Sequence, residues 1–157
     1  MIFKGINGQN VEFRLISFDP KEFELMTGIK LEDDYEPYDV GFNLIIGNRD
    51  MLASILISDV VKIVDWFEDL LNNKDVDLKL SVYHGQLSFD LLKNDFVKKI
   101  IRITNDGSVP IPSVGAYSGN LNEILKAYFV ECEMDGKELE TIIMDLKKEL
   151  YHSLNRN

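Results

Sequence analysis

Apolar and polar residues alternate at period two in five separate segments of this chain, and no other feature narrows the possible folds as much. Period two sends successive side chains to opposite faces of a strand, so each such segment has one face to bury and one to leave wet. Val11 to Phe18 sets Val11, Phe13 and Leu15 against Glu12 and Arg14, and Pro20 stops it. Gly41 to Ile46 and Met51 to Ile57 flank the polar turn Gly47-Asn48-Arg49-Asp50, which predicts a hairpin. Their Ile and Leu content predicts that at least one of the two is central in a sheet. Asp75 to Tyr83 places Leu78, Leu80 and Val82 on one face. Leu87 to Leu92 and Phe96 to Thr104 follow after short polar connections, which predicts a three-stranded meander. In the third strand Val97, Ile101 and Ile103 share one face, and Lys98, Ile100 and Arg102 share the other. Ile124 to Met134 resumes the alternation, with Tyr128, Val130, Cys132 and Met134 opposite Phe129, Glu131 and Glu133.

Two stretches switch to helical spacing. Val60, Ile63, Val64, Phe67 and Leu71 form one apolar stripe, with Ser58 as the expected cap and Lys62, Asp65, Glu68 and Asp69 facing away. Trp66 lies beside that stripe, where packing at the core edge is expected. Leu139, Ile142, Ile143, Leu146 and Leu150 form the second stripe. It is preceded by Asp135 with Glu138 three positions later, the pattern of a capping box, and Lys147 and Lys148 sit toward its C-terminus. Strands and helices do not alternate in the rhythm of a doubly wound sheet. The expected fold is therefore α+β, a mainly antiparallel sheet covered by two helices, with residues 1–157 forming a single domain.

Composition narrows the function classes. Of 157 residues, 45% are hydrophobic and 28% charged, a balance that supports a packed core. Asp and Glu number 27 against 17 Lys and Arg, for a formal net charge of -10. Such a chain repels phosphate backbones, so direct nucleic-acid binding is not expected and basic partners are favoured. With one cysteine, Cys132, there is no internal disulfide. Asp59, Lys62 and Asp65 interrupt the most apolar region, and no charged leader precedes an apolar run. A cytoplasmic protein without a membrane segment is the expectation.

A search for catalytic or metal-binding patterns gives little. His84, at a predicted turn, and His152, near the end of the last helix, have no ligand partner at a zinc spacing. Asp33, Asp34, Glu36 and Asp39 do not reproduce a calcium loop, and neither phosphate-binding glycine motif occurs, so no metal and no cofactor is expected. Ser118 lacks the spacing of a nucleophile elbow. Cys132 between Glu131 and Glu133 reads as a packed, inert thiol. Two readings stay open on the residues alone: a small enzyme with a site around His84 and the Gly- and Pro-rich loop 105–122, and a general protein-interaction module.

Several segments together resemble the WapI-like immunity proteins. They are Asp34-Tyr35-Glu36-Pro37-Tyr38-Asp39, Val64-Asp65-Trp66-Phe67-Glu68-Asp69-Leu70-Leu71, Gln86-Leu87-Ser88-Phe89-Asp90-Leu91, and Phe129-Val130-Glu131-Cys132-Glu133-Met134 followed by Leu139 to Leu150. The resemblance runs from about Phe3 to Tyr151 and implies a nonenzymatic cytoplasmic antitoxin. Such a protein binds and neutralises the toxic C-terminal domain of a cognate polymorphic toxin, possibly a nuclease. The family offers no catalytic residues to carry over. Under this reading Asp34, Glu36 and Asp39 attract a basic toxin domain, and Tyr35 and Tyr38 are the expected contact anchors.

Overall fold

The computed structural model describes residues 1–16, 39–46, 49–83, 85–106 and 128–154. Its elements are β1 (Ile2–Lys4), β2 (Asn10–Ile16), β3 (Asp39–Ile46), β4 (Arg49–Leu56), α1 (Ile57–Leu71), β5 (Lys79–Val82), β6 (Leu87–Asn94), β7 (Lys98–Asn105), β8 (Tyr128–Asp135) and α2 (Gly136–Leu154). The fold is α+β, with antiparallel sheets and two helices packed against them. The strands divide into two four-stranded sheets, ordered β1-β2-β3-β4 and β5-β6-β7-β8. β3 is central in the first, between β2 and β4, as its Ile and Leu content requires.

Among the described residues a backbone junction joins the sheets. Gly5 forms an isolated antiparallel bridge with Cys132 of β8, and the Ile6 N–H donates to the Glu131 carbonyl at 2.8 Å. Only glycine fits at this crossing. A Cβ on residue 5 would collide with the Gln9 carbonyl oxygen and lie 2.6 Å from Val130 Cγ1.

Helix α1 packs against elements of both sheets. Val60, Ile63, Val64, Trp66, Phe67 and Leu70 are all buried, a wider apolar arc than a helix lying on one sheet needs. Phe67 lies 5.9 Å from the Phe3 ring of β1 and 5.6 Å, edge-on, from the Phe89 ring of β6, so one aromatic cluster spans both sheets. Burial of side chains of this size contributes roughly 1.5–3 kcal/mol each. α2 packs on α1 through Leu139, Ile142, Ile143 and Leu146, and Lys147 Nζ reaches Glu68 Oε1 of α1 at 2.5 Å.

The ends of the elements differ from expectation in specific ways. Ser58 does not cap α1: the helix starts at Ile57 straight out of β4, Leu56 occupies the cap position and no side chain caps it. Asp59 supplies the negative charge in the first turn, and its Oδ2 accepts from the Tyr83 N–H at 3.3 Å. The capping box of α2 is present, with Asp135 N–H to Glu138 Oε2 at 3.1 Å and Glu138 N–H to Asp135 Oδ1 at 2.9 Å. The segment expected as a strand from Asp75 joins the sheet only at Lys79, because the chain is still engaged with α1: Lys74 N–H donates to the Asp69 carbonyl, and Trp66 Nε1–H donates to the Asp77 carbonyl at 3.0 Å. Trp66 itself is buried at the core edge, as its place beside the stripe predicts.

Candidate partner-binding surface

The second sheet turns Leu87, Phe89, Leu91, Ile101, Ile103, Val130, Cys132 and Met134 inward. Cys132 lies in that layer with no exposed surface, and burial first, then the Glu138 carboxylate, push its thiol up to about 12. The thiol is therefore protonated and inert at neutral pH.

The opposite face carries an ordered row of charges. The register pairs Lys79 with Asp90, Asp90 with Arg102, and Arg102 with Glu131, so the signs alternate across all four strands. Lys79 Nζ lies 3.5 Å from Asp90 Oδ1, and Arg102 holds Glu131 Oε1 through Nη2 at 2.6 Å and Nε at 3.2 Å. The Arg102 guanidinium also sits 4.7 Å from the centroid of the half-exposed Phe129 ring. Arg and aromatic side chains supply much of the energy in protein interfaces, and here the pair is already aligned by packing and hydrogen bonds.

The sheet ends in a β6–β7 hairpin with an unusual tip. Leu92 is the extra residue of a bulge, since the register passes from Leu91–Ile101 to Lys93–Ile100. The Asp95 N–H donates to the Lys98 carbonyl at 3.0 Å and leaves Phe96 and Val97 as the two tip residues. They are 87% and 73% exposed. The expected strand from Phe96, with Val97 on the core face, is thus corrected: β7 starts at Lys98, and the first inward side chain is Lys99.

Lys99 is buried, and its Nζ donates to Asn73 Oδ1 at 2.7 Å and to the Asp95 carbonyl at 2.6 Å. Asn73 has φ of 51° in the turn after α1, a helix with no basic residue in its last turn, so Lys99 brings the missing cation to that C-terminus from the sheet. Lys93 pairs with Asp95 at 2.6 Å, and Lys98 pairs with Glu133. Hydrogen bonds to Asp95 and Glu133 raise the pKa values of Lys93 and Lys98.

Of the residues singled out in the sequence, Asp34, Tyr35, Glu36 and Tyr38 lie outside the described residues, as do His84 and 107–122 of the loop. The backbone of Asp39 opens β3 opposite Leu56. Asn105 ends β7, and the Asp106 N–H donates to the Gln86 carbonyl at 2.7 Å. His152 lies exposed near the end of α2. Among the described residues no group of three or more His, Cys, Asp or Glu side chains is placed to hold a metal ion, and no helix is long and apolar enough to cross a membrane. The charge row and the apolar tip were missed in the sequence. The signal for the tip was present: Phe96-Val97 stands where a turn normally carries Gly, Asn or Asp.

The model of the immunity protein WapI-like family matches residues 1–152. The chain belongs to that family. Membership in the WapI-like family covers both sheets, α1 and all but the last two residues of α2, so the whole described architecture falls within it. No curated protein and no solved structure matches the chain.

Proposed function

We propose that this protein is a cytoplasmic, nonenzymatic antitoxin that binds the toxic C-terminal domain of a cognate polymorphic toxin and blocks it by occupancy. The observation that carries this reading is the family match over residues 1–152. The net charge of -10 supports it, because an acidic inhibitor is drawn toward a basic enzyme and can compete for the potential that holds an anionic substrate. A nuclease target follows from the same charge logic. Asp34, Glu36 and Asp39 then supply attraction, and Tyr35 and Tyr38 supply contact area.

Coexpression with the C-terminal domain of the protein encoded immediately upstream tests the proposal. Stable copurification together with rescue of cell growth is the expected result. A chain that neither associates with that domain nor protects the cell would refute it.

A further inference from the structure

Two exposed apolar side chains close the β6–β7 hairpin, and two more are exposed further back in the same sheet. Phe96 and Val97 form the hairpin tip, Leu92 is the bulged residue of β6, and Leu78 precedes β5, where its carbonyl accepts the Leu91 N–H at 2.8 Å. Exposure is 87% for Phe96, 73% for Val97, 72% for Leu78 and 45% for Leu92. Among the described residues nothing buries the tip. Two-residue hairpin loops favour primed turns with positive φ, usually formed by Asn or Gly, yet Phe96 and Val97 both have negative φ. Neither side chain reaches the core.

The backbone beneath these side chains is held in place. Buried Lys99 binds the Asp95 carbonyl just before the tip, and buried Trp66 binds the Asp77 carbonyl just before Leu78. The charges next to the tip are paired among themselves, Lys93 with Asp95 and Lys98 with Glu133. An apolar centre, a rim of mutually neutralised charges and a fixed backbone are the anatomy of a preformed protein contact, in which little ordering entropy remains to be lost on binding.

We infer that the Phe96-Val97 tip inserts into an uncharged apolar pocket on the toxin domain. The inference rests on the antitoxin reading and adds to it a contact independent of the acidic segment. Charge selects the occupant. A second copy of this chain would also carry -10, so two copies repel as they approach, whereas a basic domain is attracted over long range and needs no charge of its own where it meets the tip.

The test compares the wild-type protein with Phe96→Ser/Val97→Ser and with Met144→Ser, a change at an exposed position of α2. Binding to the purified C-terminal domain of the protein encoded immediately upstream is measured by calorimetry, solution mass by light scattering, and folding by circular dichroism. Because all three positions are exposed, each variant should melt close to the wild type. The expected result is at least a tenfold loss of affinity for the tip variant with affinity unchanged for Met144→Ser. Wild-type affinity in the tip variant would overturn the inference while leaving the antitoxin reading standing. No binding by the wild-type protein would remove the antitoxin reading and the inference with it. A wild-type dimer that the tip substitutions dissociate would overturn the inference by assigning the patch to a second copy.

Discussion

Glu149 Oε2 accepts a hydrogen bond from the Leu15 backbone N–H at 2.8 Å, which ties the last turns of α2 to β2. On the β1 side of β2 the Phe13 N–H donates to the Met1 carbonyl at 3.0 Å, while the Leu15 N–H, facing the same way, turns to a side chain. Helix α2 supplies that side chain, a carboxylate. Its other oxygen takes the Met1 α-ammonium at 3.2 Å, which in turn donates to the Phe13 carbonyl at 3.1 Å. This junction locks α2 onto the first sheet. Glu149→Ala leaves partly buried donors unsatisfied and should cost about 1–3 kcal/mol in urea unfolding, while Glu149→Gln, which keeps an acceptor, should cost less. Equal midpoints for wild type and Glu149→Ala would show that the junction contributes nothing.

Lys99 offers a second test. Lys99→Met keeps the length of the stem but removes the cation that holds Asn73 and the Asp95 carbonyl. The expected loss is about 1–3 kcal/mol. Amide exchange should also accelerate at residues 95–98, which separates loosening of the hairpin from a general loss of stability. Unaltered exchange there would argue that the tip holds its shape without Lys99.

The period-two alternation made β2, β6, β7 and β8 legible from sequence, because in each the buried apolar set follows a single parity, with Ser88 of β6 the buried polar exception. Both helical stripes were legible for the same reason. Three features were not, each because a tertiary contact overrode a local pattern. Strand β1 is too short to show a period and exists by pairing with β2 and by the Gly5–Cys132 bridge. Lys99 has the parity of a core residue and the chemistry of a surface one, and only the turn after α1 explains its burial. Val97 continues the apolar parity of β7 past the point where the hairpin closes. The charge row needed cross-strand register, which alternation alone does not fix.

Gly5 supplies a third prediction. Gly5→Ala forces a Cβ against the Gln9 carbonyl oxygen and Val130, and the backbone oxygen cannot yield as a flexible side chain would. The cost should be about 1–3 kcal/mol or more, read as a lower melting temperature. A variant as stable as the wild type would mean that the two sheets are not joined tightly at this point.

Cys132 ties stability to alkaline pH. Its thiol is raised to about 12 in the folded protein by burial, against about 8.5 in an unfolded chain. From about pH 8.5 to 12 the unfolded state loses the proton while the native state keeps it, so this group's contribution to stability falls as pH rises, by at most roughly 1.4 kcal/mol per pH unit. Cys132→Val should show a shallower alkaline decline. At pH 8 a thiol reagent should label the native protein slowly and the urea-unfolded protein at once. Rapid labelling of the native form would contradict the burial of Cys132.

The central claim is that the chain neutralises a toxic domain by occupying it, one molecule for one. Titrating the purified protein into a fixed amount of the C-terminal domain of the protein encoded upstream, with residual toxin activity measured at each ratio, tests this directly. The account predicts a linear fall that reaches zero at equivalence and does not change with incubation time. Complete, time-dependent loss of activity at a small fraction of equivalence would reveal turnover and contradict it.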